Sequence, residues 1–346
     1  MKYSHTALRN AGFGLAEIMV GLAIGMIATL VIVQVATTFE GQKRSTTGSA
    51  DAQTTGSVAL YTIQRQVQMA GYGLPVFSQQ NQALNCAVEP MTPGASPIGI
   101  TPVVILDGGP GISDTIAVRM GSTTTGGVPL KITSAAGINP VTVTNNLSCQ
   151  PLNANGLDVA LVTDGVNCSI KKVTALPSST QITLDSVTGS AIAQGSSLAC
   201  MGNWTETRYT ISGNQLLENG AVIAGDVVSM QARYGISSAG NNNKVGADSY
   251  VDATDPVWGG SMTTANRNRI KAIRIALVVR NGSMEKSDVT QPCTAGANGP
   301  CAWIGTASDP APAVDLSADP NWKRYRYRVF DTIIPVRNMI WSANAL

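Results

Sequence analysis

The sequence predicts an α+β protein: one long N-terminal helix that packs its second half on an antiparallel β-rich globular domain. Three observations predict it. An uncharged apolar run extends from Ile18 to Ala36, and an amphipathic helical stripe follows within Asp51 to Pro75. Beyond Pro75 the pattern changes to short alternating runs, with turn residues about every ten positions.

The apolar run comes first. As helix, Ile18 to Ala36 covers roughly 28 Å, about the thickness of one bilayer core. Lys2 and Arg9 precede it, so the positive-inside rule keeps the N-terminus cytoplasmic and sends the remainder outward. The residues after the run, TTFEGQKRS, hold no small-residue cleavage site of the secretory kind, so any cut is expected before it. Glu17 stands at the mouth of the run. An ionisable group there is costly in a membrane and points to function.

In the second half of the helix, Leu60, Ile63 and Val67 recur at helical spacing, joined by Ala59 and Ala70, while Gln64, Arg65 and Gln68 turn away. Gly71, Gly73 and Pro75 end it. Gly41, Gly48 and Gly56 each cost about 1 kcal/mol relative to alanine, and threonines lie nearby. The expectation is a helix whose centre can bend or melt.

The strands follow in order. TPVVILDGGPGISDTIAVRM reads as two strands around a Gly-Pro loop, and LDVALVTDGVNCSIKKVTAL as two more turning near Asp164-Gly165. Ser212-Gly213-Asn214 and Asn219-Gly220 are hairpin signals. In RIKAIRIALVVRNG, Ile273, Ile275, Leu277 and Val279 share one face. NWKRYRYRVFDTIIPVRNM reads as the last long strand.

Composition narrows the function. His5 is the only histidine and precedes the apolar run, so a chain cut between Arg9 and Glu17 has no imidazole for a triad, a general base or a metal site. Such a cut also removes Lys2 and Arg9 and leaves equal numbers of basic and acidic side chains. A neutral chain has no broad field to draw nucleic acid or an anionic surface. Cys86, Cys149, Cys168, Cys200, Cys293 and Cys301 are widely spaced and even in number, which reads as disulfides in an oxidising compartment. Cys293 and Cys301 bracket a short loop and form the expected local pair; the other pairings stay open.

Several features invite a ligand and have plainer readings. Lys323, Arg324, Arg326 and Arg328 interleave with Tyr325 and Tyr327, a pattern that binds single-stranded nucleic acid. In a strand, Arg324, Arg326 and Arg328 would share one face, and such a row also solvates a sheet edge; the neutral chain favours that reading. Asp248, Asp252 and Asp255 offer oxygens to calcium but lack the EF-hand spacing, so an Asp-rich turn is the expectation and no metal or cofactor is assigned. Gly108 to Gly111 is a turn, not a phosphate loop. Trp204, Trp258, Trp303, Trp322 and Trp341 read mostly as core or loop anchors. No nucleophile elbow or paired carboxylates mark an enzyme.

Gly12-Phe13, with Glu17 five positions into the processed chain, resembles the processing signature of type IV pilins and type II secretion pseudopilins. The start reads Phe-Gly-Leu-Ala-Glu, so Gly14 and Ala16 depart from the usual threonine and isoleucine. SVALYTIQRQVQMAGYG, GISDTIAVRM, VVSMQARYGI, KAIRIALVVRNG and RVFDTIIPVRN further resemble the PilW-type minor pilins, whose secretion relatives are the J-type pseudopilins. The resemblance implies a leader at 1–12, a transmembrane and filament-core helix at 13–39, its periplasmic half at 40–74, and a β-rich domain at 75–346. The extended cysteine-containing region at about 86–200 exceeds what J-type pseudopilins usually carry.

It also implies cleavage by a prepilin peptidase after Gly12, methylation of Phe13, and pairing of Glu17 with the N-terminal ammonium of a neighbouring subunit. The implied role is to initiate type IV pilus assembly at the tip. The implied partners are other minor pilins, the major pilin and the inner-membrane assembly platform, with storage in the inner membrane beforehand and exposure on the pilus afterwards. The alternatives are a J-type pseudopilin, or a tip adhesin or DNA-binding module in which the loops do the recognising.

Overall fold

The computed structural model describes residues 14–75, 86–122, 127–149, 158–189, 191–239, 246–254, 257–259, 262–307 and 309–340. The chain divides into two compact units, one ending at Ala50 and the other running Asp51–Leu346.

Helix α1 (Leu15–Met69) passes through both units without a break. Its centre, where glycines and threonines predict bending or melting, is helical throughout. Thr37 and Thr38 return their hydroxyls to Gln34 O, and Thr46 to Gln42 O, so these side chains satisfy themselves on the helix without competing for its backbone. From Gly14 to Arg44 every residue is exposed. From Asp51 onward one stripe is buried: Ala52, Gly56, Ala59, Ile63 and Val67, continued by Ala70. The chain leaves the helix at Gly71, whose N–H donates to Arg119 O at 2.8 Å, while Asn338 Nδ2 donates to Ala70 O at 2.8 Å.

The strands of the second unit come in chain order. First are β1 (Val103–Leu106) and β2 (Thr115–Met120). Next are β3 (Leu130–Lys131), β4 (Val141–Thr142), β5 (Asp158–Thr163), β6 (Cys168–Ser178), β7 (Gln181–Leu184) and β8 (Ser197–Asn203). Then follow β9 (Thr205–Ser212), β10 (Gln215–Glu218), β11 (Ala221–Gly225), β12 (Val227–Ile236) and β13 (Ser249–Val251). Helix α2 (Thr264–Arg269), β14 (Ile270–Arg280), β15 (Tyr327–Pro335) and α3 (Arg337–Ile340) complete the order. All their pairings are antiparallel, and they form three sheets, β1-β2-β9-β10-β11, β13-β12-β14-β15 and β3-β8-β5-β6-β7-β4.

The first two sheets and α1 share one core. Val103, Ile105, Ile116, Val118, Tyr209 and Leu216 meet Ile63 and Val67 of the helix and Ile273, Ile275, Leu277 and Val279 of β14. The opposite face of β14 is buried too: Ala276 and Val278 lie under Ala302, Trp303 and Val314. This is why the strand carries alanine and valine where a solvated face would carry polar residues.

The third sheet closes on itself. Its two outer strands meet through an Ile132↔Val143 bridge and a Thr133 N–H to Thr142 O bond of 2.8 Å, so six strands make a small barrel. Its interior is filled by Val141, Val143, Ala160, Val162, Val173, Ile182, Leu184 and Leu198. The barrel is inserted between β2 and β9, which pair directly from Ile116↔Tyr209 to Met120↔Thr205. A second small cluster, with Ile100, Leu161, Ile170, Met201 and Trp204, joins the barrel wall to the rest of the unit.

Three disulfides are present. Cys293–Cys301 is the expected local pair, and Cys149–Cys200 lies within the barrel core. Cys86–Cys168 ties the segment after α1 to the barrel.

Candidate assembly site and acidic groove

The residue singled out for assembly, Glu17, stands in the first turn of α1. Gly14 holds the cap position, and its N–H donates to Glu17 Oε2 at 3.0 Å, while Glu17 N–H donates to Gly14 O at 3.0 Å. The first bond is the Glu half of a capping box, the cap glycine having no side chain to return the other, and it places a carboxylate at the positive end of the helix. Gly12 and Phe13 lie outside the described residues.

Beyond Glu17 the helix has mean hydropathy 2.5 over its most apolar window, with none of that window buried in the protein. Leu22, Ile24, Ile27, Leu30 and Ile32 are each about 60% exposed. It is long and apolar enough to cross a membrane.

The basic run is not the strand its alternation predicts. Trp322–Arg324 forms a 3₁₀ turn, and β15 begins only at Tyr327, so Arg324, Arg326 and Arg328 do not share a strand face. Tertiary contacts impose the turn. Glu285 N–H donates to Arg324 O, and Val289 and Thr290 N–H both donate to Lys323 O. Arg324 Nε then donates to Glu285 O, Arg326 Nε to Glu285 Oε1, and Arg328 Nη1 to Gln53 of α1. Lys323 lies over Trp322. Arg324 and Arg326 are held by Glu285, Arg328 by Gln53 and Lys323 by Trp322, so the cations do not form one row.

The aspartates of the 248–255 loop also separate. Asp248 accepts Ser238 N–H at 2.8 Å; Asp255 lies outside the described residues. Asp252 turns toward the β1–β2 loop and lies beside Asp107. Burial first, and then Asp107, raise its pKa above the usual carboxylate range. Asp114 is 4% exposed and accepts Ala232 N–H at 2.7 Å and Gly108 N–H at 3.2 Å. Burial pushes its pKa up to about 7.

These three carboxylates and Asp315 line a groove of about 520 Å³, floored by Trp303 and walled by the Gly109-Pro110-Gly111 turn and residues 296–298 of the Cys293–Cys301 loop. Arg233 and Arg274 both stack on Trp303 and both pair with Asp309. Among the described residues no group of three His, Cys, Asp or Glu is arranged to hold a metal. Nothing in the local spacing signals this groove, because Asp107 and Asp114 of the β1–β2 loop meet Asp252, which follows β13 of the other sheet. Trp204, Trp258, Trp303 and Trp322 are buried, as anchors should be, and Trp341 lies outside the described residues.

A membrane-capable helix, with a carboxylate in its first turn, continues into an antiparallel β-rich head. Residues 192–338 match the family model of PilW, the type IV pilus-assembly protein W, which supports a PilW-type minor pilin with a part in type IV pilus assembly. The match takes in β8 to β15, including VVSMQARYGI, KAIRIALVVRNG and RVFDTIIPVRN, and leaves α1, β1, β2 and most of the barrel outside it. No curated protein and no solved structure matches the chain.

Proposed function

We propose that this chain primes type IV pilus assembly together with other minor pilins, from a position at the pilus tip. The observation that carries the reading is the first half of α1, apolar and exposed on every side, with one carboxylate at its start. Such a surface needs a bilayer before assembly and a bundle of like helices after it. In this reading a prepilin peptidase cuts between Gly12 and Phe13, and the helix waits in the inner membrane with the head outside. It then passes through the assembly platform into the filament, beside the major pilin. Glu17 is pre-ordered by its bond to Gly14 N–H, and it exchanges that partner for a neighbour's ammonium on docking. The exchange is favoured because a charge pair in an apolar bundle is worth more than one in water.

The test is the intact mass of membrane-purified chain from wild type and Gly12→Glu, with surface pili counted in both. Loss of residues 1–12 with one added methyl, and pili lost in the variant, is the expected result. A full-length mass in the wild type would overturn it, as would normal pili when Gly12→Glu blocks cleavage.

A further inference from the structure

The groove over Trp303 carries more negative charge than its own residues neutralise. Asp107, Asp114, Asp252 and Asp315 line it together with a single cation, Arg233. That guanidinium is already committed: it pairs with Asp309 and reaches Asp252 only at 3.9 Å. Among the described residues no lysine or arginine pairs with Asp107, Asp114 or Asp315. The carboxylates also feel one another, since burial first, and Asp107 after it, raise the pKa of both Asp114 and Asp252. Like charges gathered in one cleft cost stability until a counter-charge enters.

A second, independent observation lies in the floor. Trp303 is 4% exposed, and its indole Nε1–H is buried without a hydrogen-bond partner. Arg233 and Arg274 already stack on the ring, so the N–H is the group it has left to offer. A buried donor without an acceptor is costly, and most such donors find one in protein, water or ligand.

We propose that the groove binds a small organic cation, a primary amine with a hydroxyl or carbonyl oxygen close to its ammonium, as in an amino sugar. The ammonium donates to Asp107 and Asp252, and the oxygen accepts the Trp303 N–H. A metal ion would need its ligands gathered round one point, and among the described residues no three acidic, histidine or cysteine side chains are so arranged. An ammonium has three separate donors and suits carboxylates that stand apart. The volume of about 520 Å³ is in the range of small-ligand sites, and the two walls suit a small molecule better than a flat protein surface. This site is independent of the part the chain plays in assembly.

The test is calorimetric titration of the full-length, detergent-solubilised chain with D-glucosamine at neutral pH and low salt. N-acetyl-D-glucosamine, which lacks the charge, and cyclohexylamine, which lacks the oxygens, are titrated beside it. The expected result is saturable binding of glucosamine and binding about tenfold weaker, or none, for the other two. Asp107→Asn keeps the oxygen that accepts Gly109 N–H at 2.6 Å, so it should melt at or above the wild-type temperature and bind glucosamine about tenfold more weakly. Trp303→Phe should weaken glucosamine and leave cyclohexylamine unchanged; should it fail to fold, Asp107→Asn decides the matter. No saturable binding, equal binding of the three compounds, or glucosamine binding that survives either substitution in a folded chain would overturn the inference.

Discussion

At Asp114 two opposing demands meet on one carboxyl group. It accepts N–H groups from Gly108 in the β1–β2 loop and from Ala232 in β12, so it ties one sheet to the other. Burial, with Asp107 and Asp252 nearby, nevertheless raises its pKa from 3.8 to about 7. The folded chain therefore binds a proton there that the unfolded chain has released at pH 5 to 7. The resulting stabilisation is fully present below the unfolded pKa and is lost as pH rises through about 7. Urea unfolding of the detergent-solubilised chain should show a higher midpoint at pH 5 than at pH 8, a difference on the order of a few kcal/mol. In Asp114→Asn the side chain keeps one acceptor and cannot titrate. Its midpoint should fall below wild type at pH 5 and vary far less with pH. An unchanged slope would place the titration elsewhere.

Among the elements, α1 and β15 show why a residue's local cost is a poor guide to its use. As a helix residue Gly56 costs about 1 kcal/mol, but a Cβ there would overlap the Phe330 ring of β15. The glycine lets strand and helix approach. Gly56→Leu should lower the melting temperature by an amount equivalent to about 1–3 kcal/mol of overpacking, and Phe330→Ala in the same chain should return part of it. Simple additivity of the two losses would show that the residues do not touch.

The barrel gives the second test at this scale. Cys149→Ser with Cys200→Ser removes a cross-link spanning 51 residues, typically about 2–4 kcal/mol. Hydrogen exchange should quicken in β3 to β8 and stay unchanged in β12 and β14. The hairpins at Ser212-Gly213-Asn214 and Asn219-Gly220 were legible in the sequence because turn chemistry is local. The barrel was not, since its closure depends on two two-residue strands and a single bridge between residues 132 and 143. The Lys323–Arg328 alternation misled for a related reason: Glu285, Val289 and Thr290 hold the 3₁₀ turn from a distance. The apolar run was readable because a membrane-length span is written in consecutive residues. The groove was not, because its carboxylates meet only when two sheets pack.

For the molecule as a whole, the division at Ala50/Asp51 lies inside an unbroken helix, so the last turns of α1 belong to the head. Ala52, Ala59, Ile63, Val67 and Ala70 fill the core shared by the two open sheets, and Gln53, Gly56 and Ala70 meet Arg328, Phe330 and Asn338. Burial of Ile63 and Val67 alone is worth roughly 3–6 kcal/mol, a large share of the ~5–15 kcal/mol that holds a typical domain together. A chain beginning at Asp51 should therefore be soluble, form all three disulfides and melt cooperatively. One beginning at Val76 exposes the opposite wall of that core and should aggregate or melt without a sharp transition, even with every strand present. Size-exclusion profiles and thermal melts of the two purified chains decide it. If the shorter chain is monomeric and as stable as the longer, the helix only lies against the head, and the core is completed by the sheets alone.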